Sequence, residues 1–262
     1  MDNRLILPLL AFSIVTPLVN ATTLVSGFGS NADGALVGQS TPQGQTWVQF
    51  GSVANPLNVS NNTLTLTTTG ENTSVNFLNG DTFSDTTLYL GFTMNLSSVS
   101  SAGTFFTSFS SNNTTDSSAG RVYVKTDGVS TGDYLLGGRT GAFGGQEYGT
   151  IDLNFNQDYR VVMAYTAAGS GATAGYTIYV DPISSTEGDN TIYHAYTRSG
   201  AASLNTVGSY QIRQDQVGGV LSNIVVATTF SEAAAIPEPT TYALLLGSLS
   251  LLTIVALKRR NR

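Results

Sequence analysis

The sequence predicts an all-β protein, an antiparallel β-sandwich, with an apolar targeting segment at each end of the chain. Short runs in which apolar and polar residues alternate recur through the middle of the chain, and turn-forming residues separate them. Alternation of period two is typical of antiparallel strands that bury one face. We divide the chain into a signal peptide (1–21), an ectodomain (22–232), a linker (233–239), a transmembrane helix (240–257) and a basic tail (258–262).

The composition excludes several classes of function. Only 11% of the 262 residues are charged, against about 25% in an ordinary domain. There is no cysteine, which rules out disulfides, thiolate metal sites and cysteine nucleophiles. The segment 22–236 carries six basic and 15 acidic residues, a net charge of −9. Because neutralisation of phosphates dominates binding to nucleic acid, we expect no nucleic-acid partner.

The first residues have the layout of a secretory signal. An uncharged apolar run over 5–19 follows a single arginine, and two prolines within it disfavour a regular buried helix. Val19 and Ala21 provide the small residues that signal peptidase requires. We therefore predict cleavage between Ala21 and Thr22.

The last residues predict a membrane span with a fixed orientation. The 18 residues 240–257 carry no charge, and as a helix they would extend ~27 Å, close to the ~30 Å hydrocarbon core of a bilayer. The cations that follow at once are Lys258, Arg259, Arg260 and Arg262. The positive-inside rule places this tail in the cytoplasm and everything before the helix outside it.

A Pro-Glu-Pro triplet, Pro237, Glu238 and Pro239, stands immediately before the predicted helix. The two prolines keep this segment extended and exposed. Triplet, apolar span and basic tail together resemble the PEP-CTERM sorting signal of Gram-negative bacteria over residues 236–262. The resemblance implies that an exosortase-type membrane protease recognises the triplet and cuts near it. The chain would then be anchored transiently in the inner membrane before it reaches the cell surface or the extracellular matrix.

Strand predictions follow the chain in order. Residues 64–67 alternate, and a longer alternating run over 88–96 places one row of apolar side chains on a single face. That row comprises Leu88, Leu90, Phe92, Met94 and Leu96. Residues 160–165 and 176–180 predict two neighbouring strands joined by a loop over 167–175, and 224–227 predict a late buried strand. Turns are predicted at 111–120, 137–149 and 184–190.

Several of these pieces, in order, resemble LamG-like (concanavalin-like) jelly-roll ectodomains. They are residues 44–50 and 64–66, the pair 105–110 and 121–125, the pair 158–165 and 179–182, and residues 209–213 and 222–230. The resemblance covers roughly residues 22–232 and implies two facing antiparallel sheets. It also implies an association with exopolysaccharide or biofilm matrix, although a fold by itself assigns no function.

Catalytic chemistry has little support in the sequence. Glycoside hydrolysis needs two carboxyl groups across one bond, and laminarinase-like enzymes supply them as Glu-x-Asp-x-x-Glu. Glu71, Glu147, Glu187 and Glu232 are the glutamates of the ectodomain; none begins that pattern, and all fall in predicted loops or at the domain end. His194 is the only histidine, in a run typical of an edge strand, so neither a Ser-His-Asp triad nor a zinc site is predicted.

Binding sites are harder to exclude. Asp127, Asp133, Asp181 and Asp189 lie in predicted turns that could hold a structural calcium ion, although aspartate is common in turns without metal. We therefore assign no metal ligand and no cofactor. Aromatic candidates for a sugar platform are Trp47, Tyr134, Tyr148, Tyr193 and Tyr196, with core packing as the alternative for each.

The sequence thus predicts a non-enzymatic, exported surface or matrix protein. Its expected partners are a sorting protease, the membrane before processing, and extracellular polysaccharide. The alternative is a carbohydrate-binding adhesin of lectin-like fold, and a more distant one is a glycoside hydrolase.

Replacement of the triplet Pro237-Glu238-Pro239 by three alanines should leave a full-length, membrane-bound precursor, because the protease loses its extended, charged recognition segment. Deletion of residues 240–262 should instead release the protein unsorted. Mass spectrometry of the surface-exposed protein measures both outcomes. Mature protein that still contains peptides from Leu244 to Lys258 would make the helix a permanent anchor and the sorting prediction wrong.

Overall fold

A computed structural model describes residues 22–28, 33–51, 54–77, 80–112, 118–141, 145–167, 173–198 and 206–234. The predicted signal peptide (1–21), the Pro237-Glu238-Pro239 motif, the helix 240–257 and the basic tail 258–262 lie outside these ranges. Within them, no helix has both the length and the apolar character that a membrane span requires.

The described chain forms sixteen strands in two sheets, and all paired strands are antiparallel. The nine-stranded sheet contains β1 (Thr23–Ser26), β2 (Gly34–Ala35), β4 (Asn58–Ser60), β5 (Thr63–Leu66), β7 (Thr87–Val99), β12 (Tyr159–Thr166), β13 (Ala174–Val180), β14 (His194–Arg198) and β16 (Val217–Ala227). The seven-stranded sheet contains β3 (Val48–Phe50), β6 (Thr69–Asn76), β8 (Thr104–Ser110), β9 (Ser118–Lys125), β10 (Leu135–Arg139), β11 (Glu147–Tyr148) and β15 (Ser209–Asp215). A 3-10 turn at Glu187–Asp189 and the helix α1 (Phe230–Ala234) complete the described elements.

The strand order joins distant parts of the chain. The nine-stranded sheet has the order β14-β13-β12-β7-β16-β5-β4-β2, with β1 also paired to β16, and the seven-stranded sheet has the order β11-β10-β9-β8-β15-β6-β3. Consecutive strands β6, β7 and β8 alternate between the two sheets. The all-β, two-sheet antiparallel prediction is confirmed.

The alternating run on β7 behaves as predicted. Its apolar row, from Leu88 to Leu96, is at most 1% exposed, whereas Tyr89 and Thr93 between its members are half-exposed. The predicted neighbours β12 and β13 pair directly, with Met163 opposite Ile178. The late strand predicted at 224–227 is the end of β16.

One hydrophobic core joins the inner faces of both sheets. Phe92 of β7 meets Phe106 of β8 edge to face, with ring centroids 5.8 Å apart. Trp47 is fully buried and packs edge to face on Tyr210 at 6.0 Å. With no disulfide in the chain, the burial of such large side chains is the main source of stability.

Two sequence predictions about turns are wrong in part. The predicted turn 137–149 contains the end of β10 and all of β11, and Gly137 pairs with Tyr148. The glycines there permit close packing: a Cβ at Gly138 would lie 2.7 Å from the ring of Tyr176. The predicted turn 111–120 ends early, because β9 begins at Ser118.

A second, smaller cluster covers part of the outer face of the nine-stranded sheet. Phe230, Ala233 and Ala234 of α1 pack on Val162 and Tyr179, among other residues of that face. Helix α1 extends to Ala234, beyond the predicted ectodomain end at residue 232.

Arg160 of β12 fixes the end of this helix. Its guanidinium donates hydrogen bonds to the carbonyl oxygens of Ala233, Ala234 and Asn223, the last at 2.7 Å. The last carbonyls of a helix have no partner within the helix, so Arg160 satisfies them from the sheet. Its burial lowers its pKa to about 10.

We expect Gly91→Ala to detach α1 from the sheet. A Cβ at Gly91 would fall far inside van der Waals contact with the carbonyl oxygen of Ala233, so the free energy of unfolding should fall by about 1–3 kcal/mol. Gly175→Ala is the matched control, since its Cβ would meet nothing nearer than 3.5 Å in the same sheet. Equal denaturant midpoints for the two variants would contradict the packing of α1 on Gly91.

Candidate functional site

A polar groove of about 340 Å³ lies on the outer face of the nine-stranded sheet. Side chains on a strand alternate between faces, so the positions between core residues of β7, β12, β13 and β14 point into it. Its floor is made of small side chains, many of them hydroxyls: Thr87, Thr166, Gly175, Thr177, Ala195 and Thr197. The hydroxyls of Thr87 and Thr166 lie 2.8 Å apart across two paired strands.

One wall of the groove carries a carboxylate. Glu187 belongs to the 3-10 turn and accepts hydrogen bonds from the hydroxyls of Tyr89, at 2.8 Å, and Tyr179, at 2.9 Å. Burial, and then the neighbouring carboxylate, raise the pKa of both tyrosines, so both stay protonated as donors. An ionised carboxylate has about four acceptor positions. Glu187 therefore keeps capacity for a ligand hydroxyl.

A buried asparagine fixes the loop that presents this carboxylate. The Oδ1 atom of Asn190 accepts hydrogen bonds from the backbone N–H groups of Ile183, at 2.8 Å, and Ser184, at 3.0 Å. Its Nδ2 atom donates to the carbonyl oxygens of Ser184 and Thr186. The predicted turn 184–190 is thus a loop held by one side chain, and Glu187 is preorganised by it.

Tyr196 of β14, the outermost strand of the sheet, also borders the groove, although its pairing with the buried Tyr176 turns its side chain to the core side of the sheet. Its half-exposed ring packs on Tyr176, with centroids 6.1 Å apart. Tyr176 in turn donates a hydrogen bond of 3.0 Å to the carbonyl oxygen of Gly138 in the opposite sheet. The groove is therefore anchored to both layers of the sandwich.

The groove presents hydroxyl groups and one carboxylate to solvent. Among its described lining residues, Glu187 is the single carboxylate, and no histidine or basic side chain faces it. Acid–base hydrolysis of a glycosidic bond needs a second carboxyl group on the other side of that bond. The hydroxyls and the carboxylate suit recognition of a ligand rich in hydroxyl groups.

The four glutamates considered for catalysis lie on four different elements. Glu71 is in β6 and only 5% exposed, where it accepts a hydrogen bond from the backbone N–H of Leu57. Its prediction as a loop residue is wrong, and so is that of Glu147 in β11. Glu232 is in α1 and accepts hydrogen bonds from the hydroxyls of Thr23 and Thr229. Among these four, Glu187 is the residue that lines the groove.

The predicted aromatic platforms divide between core and surface. Trp47 and Tyr134 are fully buried, so neither is available to a sugar. Tyr193 accepts a hydrogen bond from the N–H of Leu136 and donates one to Ile151, which makes it a structural link. Tyr148 lies in a separate cleft on the other sheet, and Tyr196 borders the groove.

The four aspartates considered for calcium make separate local contacts. Asp133 accepts a hydrogen bond from the N–H of Phe155, Asp181 from that of Arg160, and Asp189 from the hydroxyl of Ser184. Asp127 lines the cleft on the other sheet. In the part of the chain that the structure describes, no three acidic or histidine side chains come together as a metal-binding group.

Sequence reasoning missed the partners of Glu187. Tyr89 lies between members of the apolar row of β7 and faces the other way, but nothing local in the sequence indicates what it meets. The two residues are 98 positions apart, so only the fold brings them together.

No family model matches the chain, and no curated protein matches it. Similar solved structures include domain 4 of AbnA, a GH43 extracellular arabinanase from Geobacillus stearothermophilus, in complex with arabinotriose, with a TM-score of 0.43 and 12% identity over 82% of this chain and 98% of that one. The SAP-like pentraxin of Limulus polyphemus has a TM-score of 0.39 and 14% identity, covering 70% and 78% of the two chains. A seed lectin of Lotus tetragonolobus has a TM-score of 0.40 and 6% identity, covering 76% and 99%. With TM-scores below 0.5, these likenesses leave the function to be argued from the site.

His194 begins β14, half-exposed at the edge of the sheet, as the sequence predicted. Burial lowers its pKa, and the charge of Glu147 opposes that shift only in part. Within the described residues its buried Nε2 atom has no hydrogen-bond partner.

Because its pKa is lower in the folded state, the unfolded chain binds more protons near this residue. The free energy of unfolding should therefore fall as pH drops through ~6.5. In His194→Gln the loss of melting temperature between about pH 7.5 and about pH 5.5 should be smaller than in the parent protein. Tyr196→Phe, on the same strand, should keep the parent's loss. Identical pH profiles for His194→Gln and the parent would contradict this assignment.

Proposed function

We propose that this protein is an exported, non-enzymatic carbohydrate-binding protein of the cell surface or extracellular matrix. The observation that carries the proposal is the groove, in which the carboxylate of Glu187 and a floor of threonine hydroxyls face outward together. Each sugar hydroxyl is both a donor and an acceptor, and desolvating it without a partner is costly. A site with both kinds of partner offsets that cost.

The rigidity of the groove supports the same proposal. Its floor lies on four paired strands, and the loop that carries Glu187 is fixed by Asn190. Because these side chains are already fixed, the protein loses little conformational entropy when a ligand binds, which favours affinity for a flexible glycan chain. The small floor residues leave the sheet surface open to a pyranose or furanose ring.

Export and sorting are the second part of the proposal and rest on the two ends of the sequence. The predicted signal cleavage before Thr22 falls one residue before β1. Thr22 and Thr228 exchange backbone and side-chain hydrogen bonds of 3.1 Å. A cut there would leave the first strand intact. The triplet Pro237-Glu238-Pro239 follows α1 closely, and an exosortase-type protease is the partner proposed for it.

Binding of neutral glycans should depend on Glu187. The full chain, in an uncharged detergent without a sugar headgroup, would be applied to an array of neutral polysaccharides and oligosaccharides. For the best ligand, Glu187→Gln should weaken affinity by about tenfold in calorimetric titration, because it removes a charged acceptor. Asp189→Asn, two residues away and outside the groove, is the matched control and should bind as the parent does.

Equal affinities for Glu187→Gln and the parent would place the ligand elsewhere. If the protein bound no neutral glycan on the array, the proposal would be wrong.

A further inference from the structure

Most of the basic residues of the ectodomain lie on one sheet. Of the six in segment 22–236, four lie on the seven-stranded sheet. They form what we call the basic strip: Arg121 and Lys125 of β9, Arg139 of β10 and Arg213 of β15. The segment as a whole has a net charge of −9, so the basic strip is a cluster of positive side chains in a negatively charged domain.

The strand register places the strip on the outer face of the sheet. Val122 and Val124 of β9 are fully buried in the core, so Arg121 and Lys125, which alternate with them, point outward. Arg139 pairs directly with Arg121 across β9 and β10. The four cations therefore share one surface that crosses four neighbouring strands, β10, β9, β8 and β15.

Phe105 holds two of these cations in place. The guanidinium carbons of Arg121 and Arg213 lie over its ring, 4.7 and 4.6 Å from the centroid. Tyr123 packs beside the same ring, with centroids 5.5 Å apart. Cation–π contacts restrict long side chains that would otherwise be mobile, so less conformational entropy remains to be lost when a ligand binds.

Lys125 extends the strip into a cleft of about 500 Å³ at the edge of the sheet. Its ammonium nitrogen lies 4.6 Å from the ring centroid of Tyr148, whose pKa burial raises to about 12. Asp127 and Glu147 also line this cleft. The cleft thus contains charges of both signs. Arg121 lies outside it, at the other end of β9 from Lys125.

Neither cation of β9 has an ion-pair partner among the residues that the structure describes. Among the described residues the one ion pair joins Arg213 to Asp215 at 3.0 Å, and neither Arg121 nor Lys125 has a carboxylate within 4.0 Å. The buried Nε atom of Arg121 also has no hydrogen-bond partner within the described ranges. Neither charge is therefore neutralised by a carboxylate in the described part of the chain, which leaves both for an anionic ligand.

We propose that the basic strip binds an acidic polysaccharide, a glycan chain that carries carboxylate groups such as those of uronic acids. Guanidinium groups match carboxylates in geometry and charge, and a surface spread over four strands suits a chain with repeated anions. The site deepens the proposed function, since its ligand is again a glycan, but it lies on the opposite sheet from the groove. One molecule would then hold a neutral and an acidic chain at once.

The test measures binding of the full chain to polygalacturonate, with its fully methyl-esterified form as the uncharged equivalent. Polygalacturonate should bind at low salt, lose affinity as salt is raised, and bind about tenfold more weakly to the double variant Arg121→Gln/Lys125→Gln. Arg121→Lys keeps the charge and should retain most of the affinity. Arg198→Gln removes one cation from the other sheet and should bind as the parent does.

Equal binding of the methyl ester, or an equal loss in Arg198→Gln, would overturn the strip as the site. Binding of double-stranded DNA as tight as that of polygalacturonate would overturn the assignment to a polysaccharide. Near-ultraviolet circular dichroism checks the fold of each variant. If the double variant is unfolded, Lys125→Gln alone takes its place and should still bind polygalacturonate more weakly than the parent does, and equal binding would overturn the strip. Glu187→Gln should leave polygalacturonate binding unchanged, so failure at the strip and failure at the groove give different results.

Discussion

The register of β7 between β12 and β16 decides which side chains of the nine-stranded sheet are buried and which face outward. A shift of one residue would exchange the two faces, because side chains on a strand alternate. The present register buries the row from Leu88 to Leu96 against the opposite sheet, where Phe92 meets Phe106. It also directs Thr87, Tyr89 and Gly91 outward. The core and the candidate site thus follow from the same pairing.

Helix α1 and the groove divide that outer face between them. Arg160 satisfies the last carbonyls of α1, and the helix brings Phe230 against the rings of Tyr179, at 5.1 Å, and Tyr89, at 5.9 Å. The hydroxyls of the same two tyrosines hold Glu187. A continuous set of contacts therefore runs from the end of the ectodomain to the wall of the groove. The helix stabilises the site although it contributes no lining residue to it.

The local alternation of apolar and polar residues predicted the strands, but it did not predict which side chains contact their outer faces. The alternation of β7 and the pairing of β12 with β13 were predictable because each needs only neighbouring residues or a short connection. The burial of Glu71 was not predictable, because the partner of its carboxylate is the backbone N–H of Leu57, 14 positions earlier and outside the strand. Gly137 and Gly138 had the composition of a turn, while their role is to admit Tyr148 and Tyr176. In each case the deciding contact is formed between strands that are distant in sequence.

The distribution of charge adds a constraint that sequence order conceals. Arg121 and Arg213 are 92 positions apart, yet both lie over the ring of Phe105. The pairing of β15 with β8, and of β8 with β9, places them there. Since the net charge of the ectodomain is negative, long-range attraction alone would not draw a polyanion to it. Binding of an acidic chain has to come from short-range contacts with fixed cations. A rigid sheet on which an aromatic ring orients the guanidinium groups provides such contacts, whereas the same arginines on mobile loops would lose more entropy on binding.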